Sequence, residues 1–405
     1  MKVLYFHQHF KTPAFGGGTR SYEFAKKLLE RGHKVTIVTG SFAQLNLPDT
    51  DIKDIKRGFI EGVDVIQISL PYSNYYSIAK RSSTFLKFAY RGVRIALEEE
   101  FDLLFATTTP LTAGIPGIFM KLLGKNRKFV FEVRDLWPEL PKALGMKNPF
   151  LLWGMGVLEK MSYRKADACI GLSPGICEGI AKRSQKGKQI ALIPNGSDLE
   201  IFKPGDRSKL ELDGIKPTDT VAVFTGAHGI ANGLDAVLDA AQILQKKERD
   251  DIVLVFIGDG KLKPQLVARA KKEQLTNCRF IDFMPKVKLN QIVSNADIGM
   301  MILANIPAFY YGTSPNKFFD YISSGLPVLN NYPGWLADMI TENECGIVVP
   351  PNNSEAFANA LIHLADNPEL RASYGVNSRR LAEQEFSRDE LSDKFVNYLE
   401  EVYAK

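Results

Sequence analysis

Cysteine and histidine are scarce in this sequence. Its 405 residues include 4 cysteines and 5 histidines. The cysteines are Cys169, Cys177, Cys278 and Cys345, and no two of them form a Cys-x-x-Cys pair. A disulfide framework or a structural zinc site is therefore not expected.

Long apolar segments are missing as well. The longest apolar run, Phe150 to Leu158, has about half the length of a membrane span. The N-terminal segment Val3 to Phe6 is too short for the core of a signal peptide. We therefore expect a cytoplasmic protein, either dissolved or bound peripherally to the inner face of the plasma membrane.

A strong charge of one sign is also absent. The formal charge is +5, with 51 basic and 46 acidic residues, so no nucleic-acid partner is expected. The chain contains neither the Gly-x-Gly-x-x-Gly dinucleotide fingerprint nor the Gly-x-x-x-x-Gly-Lys-Ser/Thr loop of ATP hydrolases. Nicotinamide-dependent enzymes and ATP hydrolases of that class are accordingly disfavoured.

The chain does contain a repeated unit. It consists of a strand, a glycine-rich loop, a helix and a second strand, and it occurs twice. The first copy has strands at Lys2–Phe6 and Val35–Thr39, with the loop Gly16 to Gly18 between them. The second copy has strands at Val221–Phe224 and Ile252–Ile257. This alternation predicts an α/β protein with two Rossmann-like, doubly wound domains facing a cleft.

A turn-rich segment suggests where the two domains join. It comprises Ile193 to Asp198 and the turn at Pro204-Gly205 that follows. We expect domains at residues 1–200 and 201–387, with an amphipathic helix over 388–405 packing back on the first domain.

The stretch Gly312 to Leu329 joins a polar turn to a short helix. Ser314 suits the N-cap, Pro315 the first helical position, and Gly325 the end of the helix. The free N–H groups of the first turn favour an anion, and Lys317 adds a positive charge there. Asp320 lies on the same face and suits a pair of hydroxyls. The alternative is an ordinary capped helix with a surface Lys–Asp pair.

Five motifs in order resemble those of the retaining glycosyltransferases of family 4, which have the B-type fold. They are Gly16-Gly17-Gly18, Arg31-Gly32-His33, Pro194-Asn195-Gly196 with Asp198 and Phe202, Gly258-Asp259-Gly260, and Asp320 to Val328. The resemblance implies a UDP-sugar donor bound by the second domain and an acceptor bound by the first. The donor-binding residues that it implies are Gly16, Gly18, Gly226, His228, Gly258, Thr313, Ser314, Asn316, Lys317 and Asp320.

The segment Val133 to Glu139 is similar to a narrower subgroup, which transfers N-acetylated amino sugars in O-antigen and capsule assembly. This likeness implies a lipid-linked saccharide acceptor. It also implies catalytic positions for Arg134 and Asp135 near the donor sugar, together with Gly17. A buried Arg–Asp pair that only holds the loop is the alternative, and Glu139 shares this ambiguity.

The chain departs from the family pattern at two places. Gly312 stands where the family has the first of two glutamates, and Asp320 stands at the second. The two basic positions after the first strand of the second domain are occupied by the uncharged Ala227 and Asn232. Lys317 then becomes the best countercharge for the diphosphate, with Lys261 and Lys263 as weaker candidates. Because no Asp-x-Asp cluster is suitably placed, we expect catalysis without a metal or other cofactor.

Two further basic features have open interpretations. Arg20, in the first turn of a helix, could meet an acceptor phosphate or be a solvated surface arginine. Helical spacing puts Lys80, Lys87, Arg91 and Arg94 in one stripe within an acid-free segment. This stripe could lie on an anionic membrane, or it could simply be solvated.

Two other classes of function compete with glycosyl transfer. A non-hydrolysing nucleotide-sugar epimerase has the same fold but needs no second substrate. A sugar-binding module without catalysis is usually exported, which makes it the less favoured of the two.

Overall fold

The computed structural model describes residues 1–15, 18–42, 45–73, 76–310 and 312–405. Two predicted site residues, Gly16 and Gly17, lie outside the described residues. The chain divides into two compact units. Unit 1 comprises residues 1–194 and 389–405, and unit 2 comprises residues 195–388.

Unit 1 contains an eight-stranded sheet in the order β3-β4-β2-β1-β5-β6-β7-β8. The edge strand β3 is antiparallel to β4, and the other neighbouring strands are parallel. The strands are β1 (Lys2–Phe6), β2 (Lys34–Gly40), β3 (Ile55–Ile60), β4 (Val63–Ile68), β5 (Leu103–Thr107), β6 (Lys128–Val133), β7 (Ala168–Gly171) and β8 (Gln189–Leu192).

Helices cover both faces of this sheet, because successive side chains of a buried strand point to opposite sides. Val3 and Tyr5 of β1 pack in one core with α1 and α15, whereas Leu4 and Phe6 pack in a second core with α2, α3, α5 and α6. Numbered along the chain, the helices are α1 (Arg20–Glu30), α2 (Ile78–Glu98), α3 (Ile115–Leu122), α4 (Glu139–Ala143), α5 (Pro149–Lys165), α6 (Pro174–Arg183) and α15 (Arg388–Ala404).

The C-terminal helix α15 packs on unit 1 through aromatic and polar contacts. The rings of Phe24 and Phe395 stack with centroids 4.0 Å apart. The Tyr398 hydroxyl donates to the carbonyl of Cys169 at 3.0 Å. The last segment of the chain is thus part of the first hydrophobic core.

Unit 2 contains a six-stranded parallel sheet in the order β11-β10-β9-β12-β13-β14. Its strands are β9 (Thr220–Thr225), β10 (Ile252–Ile257), β11 (Cys278–Ile281), β12 (Ile298–Met301), β13 (Val328–Asn330) and β14 (Gly346–Val348). Its helices are α7 (Asp235–Lys246), α8 (Lys263–Lys272), α9 (Lys286–Val293), α10 (Pro307–Tyr310), α11 (Asn316–Ser323), α12 (Trp335–Glu342), α13 (Ser354–Asp366) and α14 (Pro368–Glu385).

The strand order of unit 2 determines where a ligand can bind. The chain passes from β9 to β10 on one side and reaches β12 on the other, so the strand order reverses beside β9. Ligands of such sheets bind at this reversal, beyond the carboxyl ends of the strands. The loops after β9 and β10 and the start of α11 lie there. The predicted α/β fold with two doubly wound domains is confirmed.

None of the helices within the described ranges combines the length and the apolar character that are needed to cross a membrane.

Candidate active site

The start of α11 differs from the prediction. The helix begins at Asn316, and Pro315 precedes it in an extended conformation without a side-chain cap. The hydroxyl of Ser314 instead accepts the N–H of Asn195 at 3.1 Å, and the Ser314 carbonyl accepts the Asn195 side-chain amide at 2.6 Å. The predicted N-cap role of Ser314 is therefore wrong, because a long-range partner holds this residue outside the helix.

Lys317 reaches back from α11 to the loop after β9. Its Nζ donates to Asn232 Oδ1 at 3.0 Å and lies 3.9 Å from the ring centroid of Phe224. Desolvation lowers its pKa to about 7. No carboxylate pairs with this ammonium among the residues that the structure describes. The position of its charge is notable, because Asn232 occupies one of the two places where the resemblance calls for a basic residue.

Two glycines allow the loops after β9 and β10 to approach each other. Gly258 has φ +146°, and a Cβ there would lie 2.0 Å from the carbonyl oxygen of Gly226. Gly226 has φ +130°, and a Cβ on it would lie 3.4 Å from Lys317 Nζ. Both positions combine a backbone conformation that favours glycine with close contact. Gly226 and Lys317, which were predicted separately, are thus neighbours.

His228 is predicted to bind the donor, but its imidazole is fully buried. The ring packs near Phe224, Phe256 and Phe280. Desolvation lowers its pKa to about 4, so the side chain is neutral. The buried imidazole therefore cannot contact a nucleotide sugar bound at the surface. Only the backbone of His228 lines the loop after β9.

The two alternative countercharges differ in their surroundings. Lys263 donates to the carbonyls of Gly258 and Ile281 and pairs with Asp282 at 2.6 Å. It therefore ties the ends of β10 and β11 together. Lys261 is exposed. Lys263 and Lys317 are both half-buried beside the glycine loop, but among the described residues only Lys263 is paired with a carboxylate.

Asp320 lies in a buried cluster of charges. Lys286 and Arg388 both pair closely with Asp198, and Lys286 Nζ is 4.0 Å from Asp320 Oδ1. Burial raises the pKa of Asp320 to about 6, opposed by the charge of Lys286. For Asp198, burial acts against ionisation, but Arg388 and Lys286 outweigh it and lower the pKa.

Sequence reasoning did not identify Lys286 as part of this site. Lys286 opens α9, far along the chain from both carboxylates, and it belongs to no recognised motif. Only the fold brings its side chain to Asp198 and Asp320.

Thr313 precedes α11, and Asn316 is its first residue. The Thr313 carbonyl accepts the indole N–H of Trp335 at 2.7 Å, which fixes the turn before the helix. Asn316 Oδ1 is buried and accepts no hydrogen bond from the described residues.

In unit 1, Arg134 and Asp135 follow directly after β6. The backbone N–H of Arg134 donates to Thr108 Oγ1 at 2.8 Å, and Thr109 Oγ1 donates to Asp135 at 3.3 Å. Burial raises the pKa of Asp135, whereas the charge of Arg134 opposes this rise. No ion pair joins the two side chains in the described structure, so the predicted alternative of a buried Arg–Asp pair is not observed.

Trp137 and Glu139, at the end of the Val133 to Glu139 segment, are held by a network of hydrogen bonds and ion pairs. Glu159 Oε1 accepts the N–H of Trp137 at 2.8 Å, and Arg183 pairs with Glu159 at 2.6 Å. Arg183 also pairs with Glu139 and donates to the Trp137 carbonyl at 3.2 Å. Glu139 is therefore engaged in shaping the loop that carries Arg134 and Asp135.

Arg20 fits neither predicted interpretation. Its guanidinium is buried and pairs with the fully buried Glu132 at 2.7 Å. It also donates to the carbonyls of Ile193 and Pro194. Arg20 is neither an acceptor-binding residue nor a solvated surface arginine, because its donors are used to join α1, β6 and the segment after β8.

The predicted basic stripe of α2 is partly neutralised. Lys80 and Lys87 are exposed. Arg91 lies 3.8 Å from Asp54, and Arg94 lies 3.7 Å from Glu98.

Acidic and metal-binding side chains do not gather elsewhere in the described ranges. No group of three or more His, Cys, Asp or Glu residues is arranged there to hold a metal ion.

Two doubly wound α/β units, with glycine loops and the start of α11 at the strand-order reversal of unit 2, correspond to the B-type class of glycosyltransferase fold. Residues 15–201 match the model of Glycosyltransferase Family 4, and residues 208–381 match that of Glycosyl transferases group 1. Together the two matches cover most of the chain, whose sequence is thus family 4-like throughout, as the five motifs indicated.

Individual known proteins show more distant similarity. The O-antigen chain mannosyltransferase C of Escherichia coli is 28% identical over 183 residues, which are 44% of this chain and 46% of that protein. The chain thus matches about half the length of such relatives.

Among solved structures, sucrose-phosphate synthase from Thermosynechococcus elongatus has a TM-score of 0.78 at 18% identity, covering 100% of this chain and 99% of that one. HepE from Anabaena, in complex with UDP and glucose, has a TM-score of 0.72 at 18% identity, covering 99% of each chain.

Replacing Arg20 tests its structural role. Arg20→Met should lower the free energy of unfolding by about 3–5 kcal/mol, because it leaves Glu132 as an unpaired buried charge. Urea denaturation measures this loss. The double change Arg20→Met with Glu132→Gln should recover part of it, whereas Arg31→Met, at a half-exposed ion pair, should cost less than about 1 kcal/mol. Unchanged stability of the Arg20→Met protein would contradict this assignment.

Proposed function

We propose that this protein transfers a sugar, with retention of anomeric configuration, from a UDP-sugar to a lipid-linked saccharide. The transferred sugar is an N-acetylated amino sugar, and the product belongs to a cell-surface polysaccharide of the O-antigen or capsule type. The reaction takes place in the cytoplasm, at the inner face of the plasma membrane.

One observation carries the donor half of this proposal. The half-buried ammonium of Lys317 lies beside Gly226 and at the N-terminal turn of α11. Departure of a nucleoside diphosphate places negative charge on phosphate oxygens, which a fixed charge and free N–H groups stabilise. A lysine that is already desolvated gives up little hydration when it pairs with that diphosphate.

Asp320 supplies the complementary contact to the nucleoside. An ionised carboxylate accepts two hydrogen bonds, which suits the diol of a ribose. Lys286 lies 4.0 Å away and favours the ionised form, so we assign it a positioning role. Asn316 Oδ1, at the first position of α11, offers a further acceptor.

Arg134 and Asp135 are assigned to the donor sugar. Thr108 holds the backbone N–H of Arg134, and Thr109 donates to the Asp135 carboxylate. Arg183 holds Trp137 and Glu139 further along the same segment. Gly16, Gly17 and Gly18 are assigned to the approach of diphosphate and acceptor, as the family resemblance implies.

The comparisons support the finer points of the proposal to different extents. UDP is the nucleotide bound by HepE. O-antigen synthesis is the role named for the E. coli mannosyltransferase. The amino sugar and the lipid-linked acceptor come from the likeness at Val133 to Glu139. The family models favour glycosyl transfer over epimerisation, and incubation with a nucleotide sugar alone should yield no isomerised sugar.

Lys317→Met should weaken binding of the nucleotide sugar by about 1.5–3 kcal/mol, roughly 10- to 150-fold. The methionine keeps the apolar stem against Phe224 and removes only the charge. Titration calorimetry measures the loss, and binding of the free nucleoside should change little. Lys261→Met, at an exposed lysine near the same loop, is the matched control. Equal losses for nucleoside and nucleotide sugar would contradict the assignment of Lys317 to the diphosphate.

Affinity for the nucleotide sugar should peak between pH 6 and 7. Asp320 must be ionised to accept the diol, so affinity falls as the pH drops below its pKa of about 6. Lys317 must be protonated to pair with the diphosphate, so affinity falls as the pH rises above its pKa of about 7. The intact nucleotide sugar is the right probe, because its doubly esterified diphosphate has no second ionisation in this range.

Calorimetry from about pH 5 to about pH 9 would resolve both limbs of this profile. Asp320→Asn should flatten the acidic limb, and Lys317→Met should flatten the alkaline limb. A profile that stays bell-shaped in both variants would assign the titration to other groups.

Transfer should persist in excess chelator, because Lys317 and the start of α11 supply the positive charge. Initial rates with and without chelator test this expectation. A strict requirement for a divalent cation would contradict it. A thermal-shift screen across nucleotide sugars would identify the donor.

A further inference from the structure

Helix α5 exposes apolar side chains and buries polar ones. Phe150 and Trp153 are 82% and 71% exposed, and Val157 continues the same stripe at helical spacing. The buried residues of this helix are Glu159, Ser162 and Tyr163. A surface helix of a protein surrounded only by water shows the opposite arrangement.

The apolar surface extends beyond the helix itself. Leu144, in the turn before α5, is 45% exposed. On α3, which packs beside α5, Phe119 and Leu122 are also exposed. Exposed apolar side chains on two helices that pack together indicate an interaction surface.

A groove of about 420 Å³ lies on this side of α5. Its lining includes Pro138, Leu152, Trp153 and Val157, together with Lys142 and Lys160. Apolar walls and ammonium groups in one groove match the two parts of an anionic lipid, the acyl chain and the phosphate.

The charges around this surface have one sign. From Leu140 to Ala166 the only acidic residue is Glu159, which is fully buried and paired with Arg183. The exposed charged residues of this segment are Lys142, Lys147, Lys160, Arg164 and Lys165.

We infer that the α5 surface, defined by Phe150, Trp153, Val157, Lys142 and Lys160, docks on an anionic phospholipid bilayer. Exposed Phe and Trp enter the boundary between headgroups and acyl chains, and lysines pair with lipid phosphates. A second copy of the chain fits less well, because a symmetric contact would bring like charges together. The α5 surface shares no residue with the proposed donor site, and it replaces the partly neutralised α2 stripe as the expected membrane contact.

The test is flotation of the full-length chain with vesicles, without substrates. The wild-type protein should bind vesicles of phosphatidylglycerol and phosphatidylcholine, and binding should weaken with salt. The double change Phe150→Ser with Trp153→Ser should reduce partitioning at least roughly tenfold. Lys142→Gln with Lys160→Gln should reduce binding to the anionic vesicles and leave weak binding to phosphatidylcholine alone unchanged.

Two control variants sharpen the result. Phe59→Ser changes an aromatic residue that is 77% exposed on the edge strand β3, and it should bind vesicles like the wild type. The indole of Trp153 should shift its emission to shorter wavelength on vesicle binding. Trp153→Phe should lose this shift while retaining most of the binding.

Vesicle binding that is unaffected by Phe150→Ser with Trp153→Ser would overturn the inference. A wild-type dimer that this double change dissociates, with no vesicle binding, would also overturn it in favour of a second copy. Calorimetry with the nucleotide sugar separates this inference from the proposed function. The double variant should keep its donor affinity, which also shows that it is folded, whereas Lys317→Met should keep its vesicle binding.

Discussion

The desolvated ammonium of Lys317 is the group around which the glycine loops of unit 2 are arranged. It requires Gly226, whose missing side chain leaves room for it, and it contacts Phe224 and Asn232, while no carboxylate among the described residues pairs with it. Gly226 in turn packs closely on Gly258, so the loops after β9 and β10 are coupled to the same lysine. In this chain Lys317 of α11 thereby places its charge beside Asn232, a position at which the family resemblance calls for a basic residue.

Buried charges elsewhere serve the fold rather than a ligand. The buried Arg20 pairs with the buried Glu132, and the half-buried Arg183 pairs with the buried Glu159; each arginine also donates to a backbone carbonyl. Removing either member of such a pair would leave a charge in the interior without a partner, which is costly. The pairs hold the segments after β6 and β8 in place. Arg134 and Asp135 are therefore presented by a loop whose shape depends on residues that do not themselves belong to the proposed site.

In the α5 surface, apolar side chains are exposed to solvent and polar side chains are buried. Its outer stripe is apolar and its neighbouring charges are basic, although the helix is firmly packed through Tyr163 and its neighbours. The inner side of the helix is held independently of this surface, by Tyr163 in the core and by the ion pair of Glu159 with Arg183. The enzyme proposed here would thus use separate surfaces for a water-soluble donor and for the membrane that carries its acceptor.

The sequence by itself determined the alternation of strands and helices, the strand bounds at Lys2–Phe6 and Ile252–Ile257, and the resemblance to glycosyltransferases. These follow from local apolar periodicity and from motifs that are contiguous in the chain. Tertiary structure alone decided the roles of Arg20, Glu139, His228 and Lys286. A buried charge looks like a surface charge in a sequence, and its partner is far along the chain, as Glu132 is from Arg20. The same limit applies to Ser314, where local capping rules pointed to an N-cap but Asn195, 119 residues away, forms the hydrogen bonds.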